Sequence, residues 1–408
     1  MFDFSARAPL GGERAVLVQL DFGEPDLQER LEELRLLTES AGGSVAAEIT
    51  GKRQSPDART FAGKGKTEEI AAVCRATGAE LVIFNHSLSP AQERNLERLL
   101  QCRIVDRTRL ILDIFALRAQ SAEGKLQVEL AQLEYISTRL VRGWTHLERQ
   151  QGGIGLRGPG EKQLETDRRL LGKRVRFLKE RLERLSRQRG TQRKARQKGE
   201  TLNVSLAGYT NAGKSTLFNA LTRADVYVAN QLFATLEATT RRLWLSEANT
   251  HVVLSDTVGF IRDLPHSLVE AFKATLEATA DADLILHVVD SASPARDEQI
   301  AEVEEVLQEI GAADIPQIMV WNKVDLTGVS PSIERDNYDK IRRVKLSARE
   351  GLGLDLLREA LASIAREKTA LRATTVLPEF DHGSCKSLAM NGELAQDKSI
   401  HGDEDASD

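Results

Sequence analysis

The chain has 408 residues, 41% of them hydrophobic and 29% charged, a length that suits two or three globular domains. No apolar run approaches the ~20 residues a bilayer crossing needs, and residues 1–12 lack the apolar core and cleavage site of a secretory signal, so the reading is a cytoplasmic protein without a membrane span. The net charge of −5 hides an asymmetry: fourteen basic residues between Arg168 and Lys198 face only Glu180 and Glu183, so that stretch carries +12 and the rest of the chain −17.

Residues 1–119 read as a small α/β domain. Strands are expected at Ala15–Leu20, Val45–Ile49, Leu81–Phe84 and Ile104-Val105, and helices at Leu27–Leu37, Glu68–Ala76 and Ala91–Leu100. Strands alternating with helices argue for a parallel sheet. Gly65-Lys66-Thr67 imitates the end of a phosphate-binding loop, but the first glycine such a loop needs would fall at Thr60, so a second nucleotide site is not expected there. His86, His146, His251, His266 and His287 show no ligand spacing and read as structural. Cys74, Cys102 and Cys385 are far apart, without metal-ligand spacing, and read as idle thiols in a reducing compartment.

Residues 120–199 read as a long antiparallel helical hairpin. Leu126, Leu130, Leu133 and Leu140 recur at helical spacing. Leu164, Leu171, Val175, Leu178, Leu182 and Leu185 then form a heptad seam, which calls for a partner helix. Between the two lies a glycine-rich tip, 152–160. A helix of about 25 residues would carry that tip on the order of 35–40 Å from its base. On the outer face sits the basic stripe. Like charges at i, i+4 weaken a helix unless a polyanion neutralises them, and phosphate backbone is the usual polyanion. Trp144 and Phe177 are the only aromatics nearby, so structured RNA is expected as the partner rather than stacked single strands. A merely solvated face is the competing reading.

Residues 202–368 read as a P-loop GTPase domain. Gly208-Tyr209-Thr210-Asn211-Ala212-Gly213-Lys214-Ser215 fits G-x-x-x-x-G-K-[ST] and stands between a strand, Asn203–Ala207, and a helix starting at Ser215. That placement lets backbone N–H groups wrap phosphates. Lys214 would reach the β- and γ-phosphates, with Ser215 on Mg²⁺ and Thr216 beside it. Asp256-Thr257-Val258-Gly259 follows the strand His251–Leu254; the Asp would support Mg²⁺ and the Gly259 N–H would meet the γ-phosphate. Asn322-Lys323-Val324-Asp325 follows the strand Ile318–Trp321. The Asp325 carboxylate can take N1–H and the exocyclic amine of guanine, which adenine does not offer. The Lys323 stem would lie along the base, and Asn322 would tie this loop to the P-loop. Ser347-Ala348-Arg349 follows the strand Val344–Leu346, placed to give a backbone N–H to the guanine oxygen. GTP and GDP are therefore the expected ligands. The tail, 369–408, is an extension whose residues from Asp381 onward hold seven acids against Lys386 and Lys398 and predict disorder.

From Arg14 to about Lys368 the chain resembles the HflX family of ribosome-associated GTPases. The resemblance is carried by Phe61-Ala62-Gly63-Lys64-Gly65-Lys66, by Asp106-Arg107-Thr108, and by Gly152-Gly153-Ile154-Gly155-Leu156-Arg157-Gly158-Pro159-Gly160-Glu161. Switch I, Phe233-Ala234-Thr235-Leu236-Glu237-Ala238-Thr239-Thr240-Arg241, matches too. The chain departs where the family commonly has Thr at Leu156 and Lys162, and Asp-Pro at Glu237-Ala238. The resemblance implies contacts from Phe233, Ala234 and Thr235 to the nucleotide, with Thr235 the second Mg²⁺ hydroxyl ahead of Thr239 and Thr240. It implies a K⁺ near Asn211, although Asn211 as a loop cap remains an alternative. It further implies binding of the large ribosomal subunit and its rRNA, with the glycine loop, Gly152 to Gly158, reaching toward the peptidyl-transferase region, and dissociation or rescue of ribosomes under stress. Within the basic stripe, Arg187, Arg189, Arg193 and Lys194 are the expected RNA contacts, and a monomer is expected. Subunit assembly, or an RNA-binding module with an idle nucleotide site, are the competing functions. Lys214, Thr235 and Gly259 form the expected catalytic set. Phe260 stands where many GTPases place a water-orienting Gln, which predicts slow intrinsic, partner-stimulated hydrolysis.

Overall fold

A computed structural model describes residues 12–23, 26–142, 159–197, 201–224, 231–264, 268, 276 and 279–375. The expected glycine tip at 152–158 and the acidic tail lie outside the described residues.

Four strands open the chain: β1 (Arg14–Asp21), β2 (Ser44–Lys52), β3 (Leu81–Phe84) and β4 (Arg103–Asp106). They pair in parallel in the order β2-β1-β3-β4. Successive side chains alternate between faces, and here both faces are buried. Val16, Val18, Val82, Phe84 and Ile104 pack beneath helices α2 (Lys64–Thr77) and α3 (Pro90–Leu100). Ala15, Leu17, Leu81, Ile83 and Val105 face α1 (Leu27–Ser40) and α4 (Arg107–Arg118). Lys66 and Thr67 are spent locally, the ammonium on Thr50 O at 2.9 Å and the hydroxyl on Gly63 O at 2.8 Å. Burial and the neighbouring Cys102 push the Cys74 thiol up to about 12, so it stays unreactive.

Helices α5 (Ala122–Arg142) and α6 (Pro159–Gln197) pack along each other. Leu126, Leu130, Leu133 and Ile136 meet Leu171, Val175, Leu178 and Leu182. At 39 residues α6 is longer than expected, on the order of 58 Å. It takes in Pro159 and Gly160, assigned above to the tip, because proline is well placed at a first helical position. Part of the basic stripe is internal. Arg174 binds Glu129 at 2.7 Å and Lys179 binds Glu134 at 2.8 Å, both acids standing on α5. Asp106 fixes the hairpin to the first domain by capping α4 through Arg109 N at 2.9 Å, accepting the Tyr135 hydroxyl at 2.7 Å and pairing with Arg139 at 2.5 Å.

The remaining sheet has seven strands in the order β10-β11-β9-β8-β5-β7-β6. The five central strands, β5 (Leu202–Ala207), β7 (Thr250–Asp256), β8 (Leu284–Asp290), β9 (Gln317–Asn322) and β11 (Ile341–Lys345), run parallel. β6 (Thr239–Leu245) and β10 (Ser332–Arg335) add antiparallel edges. The longer helices here are α7 (Lys214–Thr222), α8 (Arg296–Glu309) and α9 (Leu354–Thr375). The chain leaves β5 first toward β7 and later toward β8 on its other side, and such reversals open a ligand crevice at the C-terminal strand ends. Among the described residues no helix is long and apolar enough to cross a membrane.

Candidate nucleotide-binding site

The loops after β5, β7, β9 and β11 meet at that crevice around a cavity of 550 Å³. It is lined by Thr210, Asn211, Gly213, Lys214, Ser215 and Thr216 of the P-loop, by Phe233, Ala234 and Thr235, by Thr257 and Gly259, and by Asn322, Lys323, Asp325, Ser347 and Arg349. Gln231 and Leu326 line it as well, without any motif to announce them. Gly208, Tyr209, Ala212, Asp256, Val258 and Ala348 are buried and do not line it.

Asn322 is the keystone of the base side. Its Nδ2 donates to Ala212 O at 2.9 Å and its Oδ1 accepts from Ala348 N at 2.9 Å. Gly213 has φ 93°, and a Cβ there would stand 2.2 Å from Asn322 Nδ2, so only glycine fits. The Ser347 N–H goes to Leu352 O at 2.9 Å. Both N–H groups expected to meet a guanine oxygen are thus already engaged in this structure. Asp325 is exposed rather than buried, so its discrimination depends on a base covering it. Lys323 is anchored on Asp290 at 2.6 Å.

On the phosphate side the Lys214 ammonium is buried, donating to Gly208 O at 3.0 Å and Tyr209 O at 2.8 Å. Burial pushes its pKa down to about 8 against the pull of Asp256. Ser215 Oγ donates to Asp256 Oδ2 at 2.6 Å and lies 2.8 Å from Thr235 Oγ1, which itself reaches Asp256 Oδ2 at 3.1 Å. Burial raises the Asp256 pKa while Ser215, Lys214 and Thr235 oppose the rise. Its second oxygen, Oδ1, is buried without a partner. Three converging oxygens, one side of the carboxylate unspent, suit a hard cation such as Mg²⁺. Thr239 and Thr240 lie in β6 instead, Thr240 on Ser255 at 3.1 Å.

The first domain grips both switch segments. Just before switch I, Leu232 N donates to Ser40 Oγ at 2.9 Å and Arg118 binds Gln231, and within it the Phe233 ring meets Phe115 edge-on at 4.7 Å. In switch II, the segment 257–264 after β7, Phe260 is buried in the same apolar cluster as Leu31, Leu34 and Phe115, so its ring points into the core and no side chain at that position faces the cavity. Tyr209 turns away from the cavity: its hydroxyl donates to Glu33 and accepts from Arg262 N at 2.8 Å. Arg107 completes the knot, holding Glu33 at 2.5 Å and Arg262 O at 2.7 Å.

Comparison with known proteins decides what this arrangement belongs to. Residues 28–116 match the family model described as GTP-binding GTPase N-terminal, 118–196 the GTP-binding GTPase middle region, and 203–323 the 50S ribosome-binding GTPase. The chain is 54% identical over 369 residues to GTPase HflX of Escherichia coli (strain K12), covering 90% of this chain and 86% of that one. The chain belongs to the HflX GTPase family. Another member, GTPase HflX of Caldanaerobacter subterraneus subsp. tengcongensis, is 50% identical over 350 residues, covering 86% of this chain and 80% of its own. The crystal structure of the SsGBP–GDP complex matches at 25% identity with a TM-score of 0.50, covering 88% of this chain and 99% of that one. As an HflX-family GTPase the protein binds guanine nucleotide and hydrolyses GTP, and Mg²⁺ is the metal such GTPases use. The segment Asp106-Arg107-Thr108 links three parts of the chain: Asp106 holds the hairpin and Arg107 holds the Arg262 carbonyl after β7.

Proposed function

We propose that this HflX-family GTPase is a monomeric factor of the cytoplasm that binds the large ribosomal subunit and uses GTP to dissociate or rescue ribosomes under stress. The observation that carries this reading is the long basic helix α6, laid along a second helix that starts against the switches of a GTP site. Arg174 and Lys179 are engaged by α5, and this reading assigns the rRNA contact to Arg187, Arg189, Arg193 and Lys194. Gly152, Gly153, Ile154, Gly155, Leu156, Arg157 and Gly158 would reach the ribosome at the other end.

In this mechanism Lys214 holds the β- and γ-phosphates, and the Gly259 N–H meets the γ-phosphate. Ser215, Thr235 and Asp256 would hold Mg²⁺, which supplies charge neutralisation on the phosphates when bound. Asp325 reads the base, and Asn211 would add a K⁺ ligand. With Phe260 buried, water must be oriented by something a partner brings or induces.

Large subunits are accordingly expected to raise GTP turnover at least about tenfold, roughly 1.4 kcal/mol of barrier. Deleting residues 152–160 should preserve subunit binding but abolish dissociation on gradients. Dissociation by the deletion variant would remove the tip from the mechanism, and binding to assembly intermediates alone would favour a subunit-assembly GTPase instead.

Binding should also weaken steeply with salt, since each neutralised phosphate releases counterions. Changing Arg187, Arg189, Arg193 and Lys194 to Ala should flatten the slope and leave GTP affinity intact. An unaltered slope would make the stripe a solvated face.

A further inference from the structure

Switch I does not end free. Two residues beyond Thr235, the Glu237 carboxylate oxygen Oε1 accepts Gln120 N at 3.0 Å and Ser121 N at 2.8 Å. Ser121 is also the residue just before α5 and caps it, its Oγ accepting from Gly124 N at 2.9 Å. Both N–H groups stand just before α5, at the helix end whose partial positive charge favours a carboxylate. Room for it comes from Gly124, where a Cβ would lie 2.3 Å from Glu237 Oε1. The helix so gripped is the one that holds α6 and, through Tyr135 and Arg139, Asp106.

We propose that Glu237 is a positioning residue for GTP hydrolysis, pinning switch I to the two residues that lead into α5 and thereby keeping Thr235 beside Ser215 and Asp256. Loss of this anchor frees Thr235 to leave the phosphate side, which slows the chemical step. GDP makes no use of the γ-phosphate side, so its binding is unaffected. The anchor is intramolecular, and its test requires no ribosome. It therefore stands or fails apart from the ribosomal reading above.

The experiment compares kcat and KM for GTP, and affinity for a fluorescent GDP, in the full chain. Glu237→Ala should lower kcat by about fivefold or more with GDP affinity held within about twofold. Glu237→Gln, whose amide oxygen still accepts both N–H groups, should recover most of kcat. Gly124→Ala should reproduce the Glu237→Ala loss by evicting the carboxylate. Alanine is the better helix former, so that loss would not come from a weaker helix. The double variant should fall no further than either single one, since both remove the same contact. Wild-type kcat in Glu237→Ala would overturn the proposal. So would an equal loss in Glu237→Gln, a double variant whose losses multiply, or a parallel collapse of GDP affinity.

Discussion

GTP and GDP should displace a labelled guanine nucleotide from the full chain at least about a hundredfold more effectively than ATP does, on the order of 3 kcal/mol. Asp325 is the source of that gap. Its carboxylate accepts two donors from guanine, whereas adenine would cover it and leave it unpaired, and an unpaired group under a base costs far more than a lost contact at an open surface. The side chain is exposed in this structure, so discrimination is created when the base lands, not stored beforehand. Lys323, fixed by Asp290 at 2.6 Å, and Asn322, fixed on both sides of the crevice, keep the loop in register for that landing. Asp325→Asn should erode the guanine preference and admit xanthine nucleotides, whose extra carbonyl the new amide can meet. Equal displacement by GTP and ATP in the unaltered protein would refute the assignment of this loop.

The nucleotide site was legible because phosphate and base chemistry demand particular residues at particular offsets, and those residues sit at strand ends that apolar runs betray. Strands β1 and β3 at the centre of the first sheet were equally plain, because strands covered on both faces write continuous apolar runs. Helix α4 was not foreseen. Its sequence, Arg107–Arg118, is buried nearly all round between the sheet, α1 and the switch segments, and a helix wetted on no side shows little periodicity. Contacts between domains were the other blind spot. Tyr209 reads from its motif as a nucleotide residue, yet its side chain leaves the cavity for Glu33. Glu237 reads as a departure from a family pattern, yet it meets α5. Such partners are far apart in the chain, and no local spacing encodes them.

Arg107→Ala should destabilise the protein by about 3–5 kcal/mol, the usual consequence of stripping one member from a buried ion pair. Arg107 is buried, and Glu33 beside it is nearly so, with side chains 6% and 15% exposed. Removing the guanidinium leaves Glu33 only the Tyr209 hydroxyl. It also orphans two further acceptors, Asn85 Oδ1, now bound at 2.6 Å, and Arg262 O, at 2.7 Å. Neither is easily rehydrated inside an apolar cluster that runs from α1 and α4 to Phe260. Glu33→Gln should cost less, because a neutral amide can keep the Tyr209 and Arg107 contacts in part. Arg107→Ala combined with Glu33→Ala should recover some of the single-variant loss, since no lone carboxylate remains. A urea titration of the four proteins measures this. Because Arg262 follows Gly259 by three residues, the same variants release the switch II backbone, and nucleotide-dependent protection of its amides from hydrogen exchange should fade in step with stability. A midpoint for Arg107→Ala equal to that of the unaltered protein would show that the two domains do not hold each other through this knot.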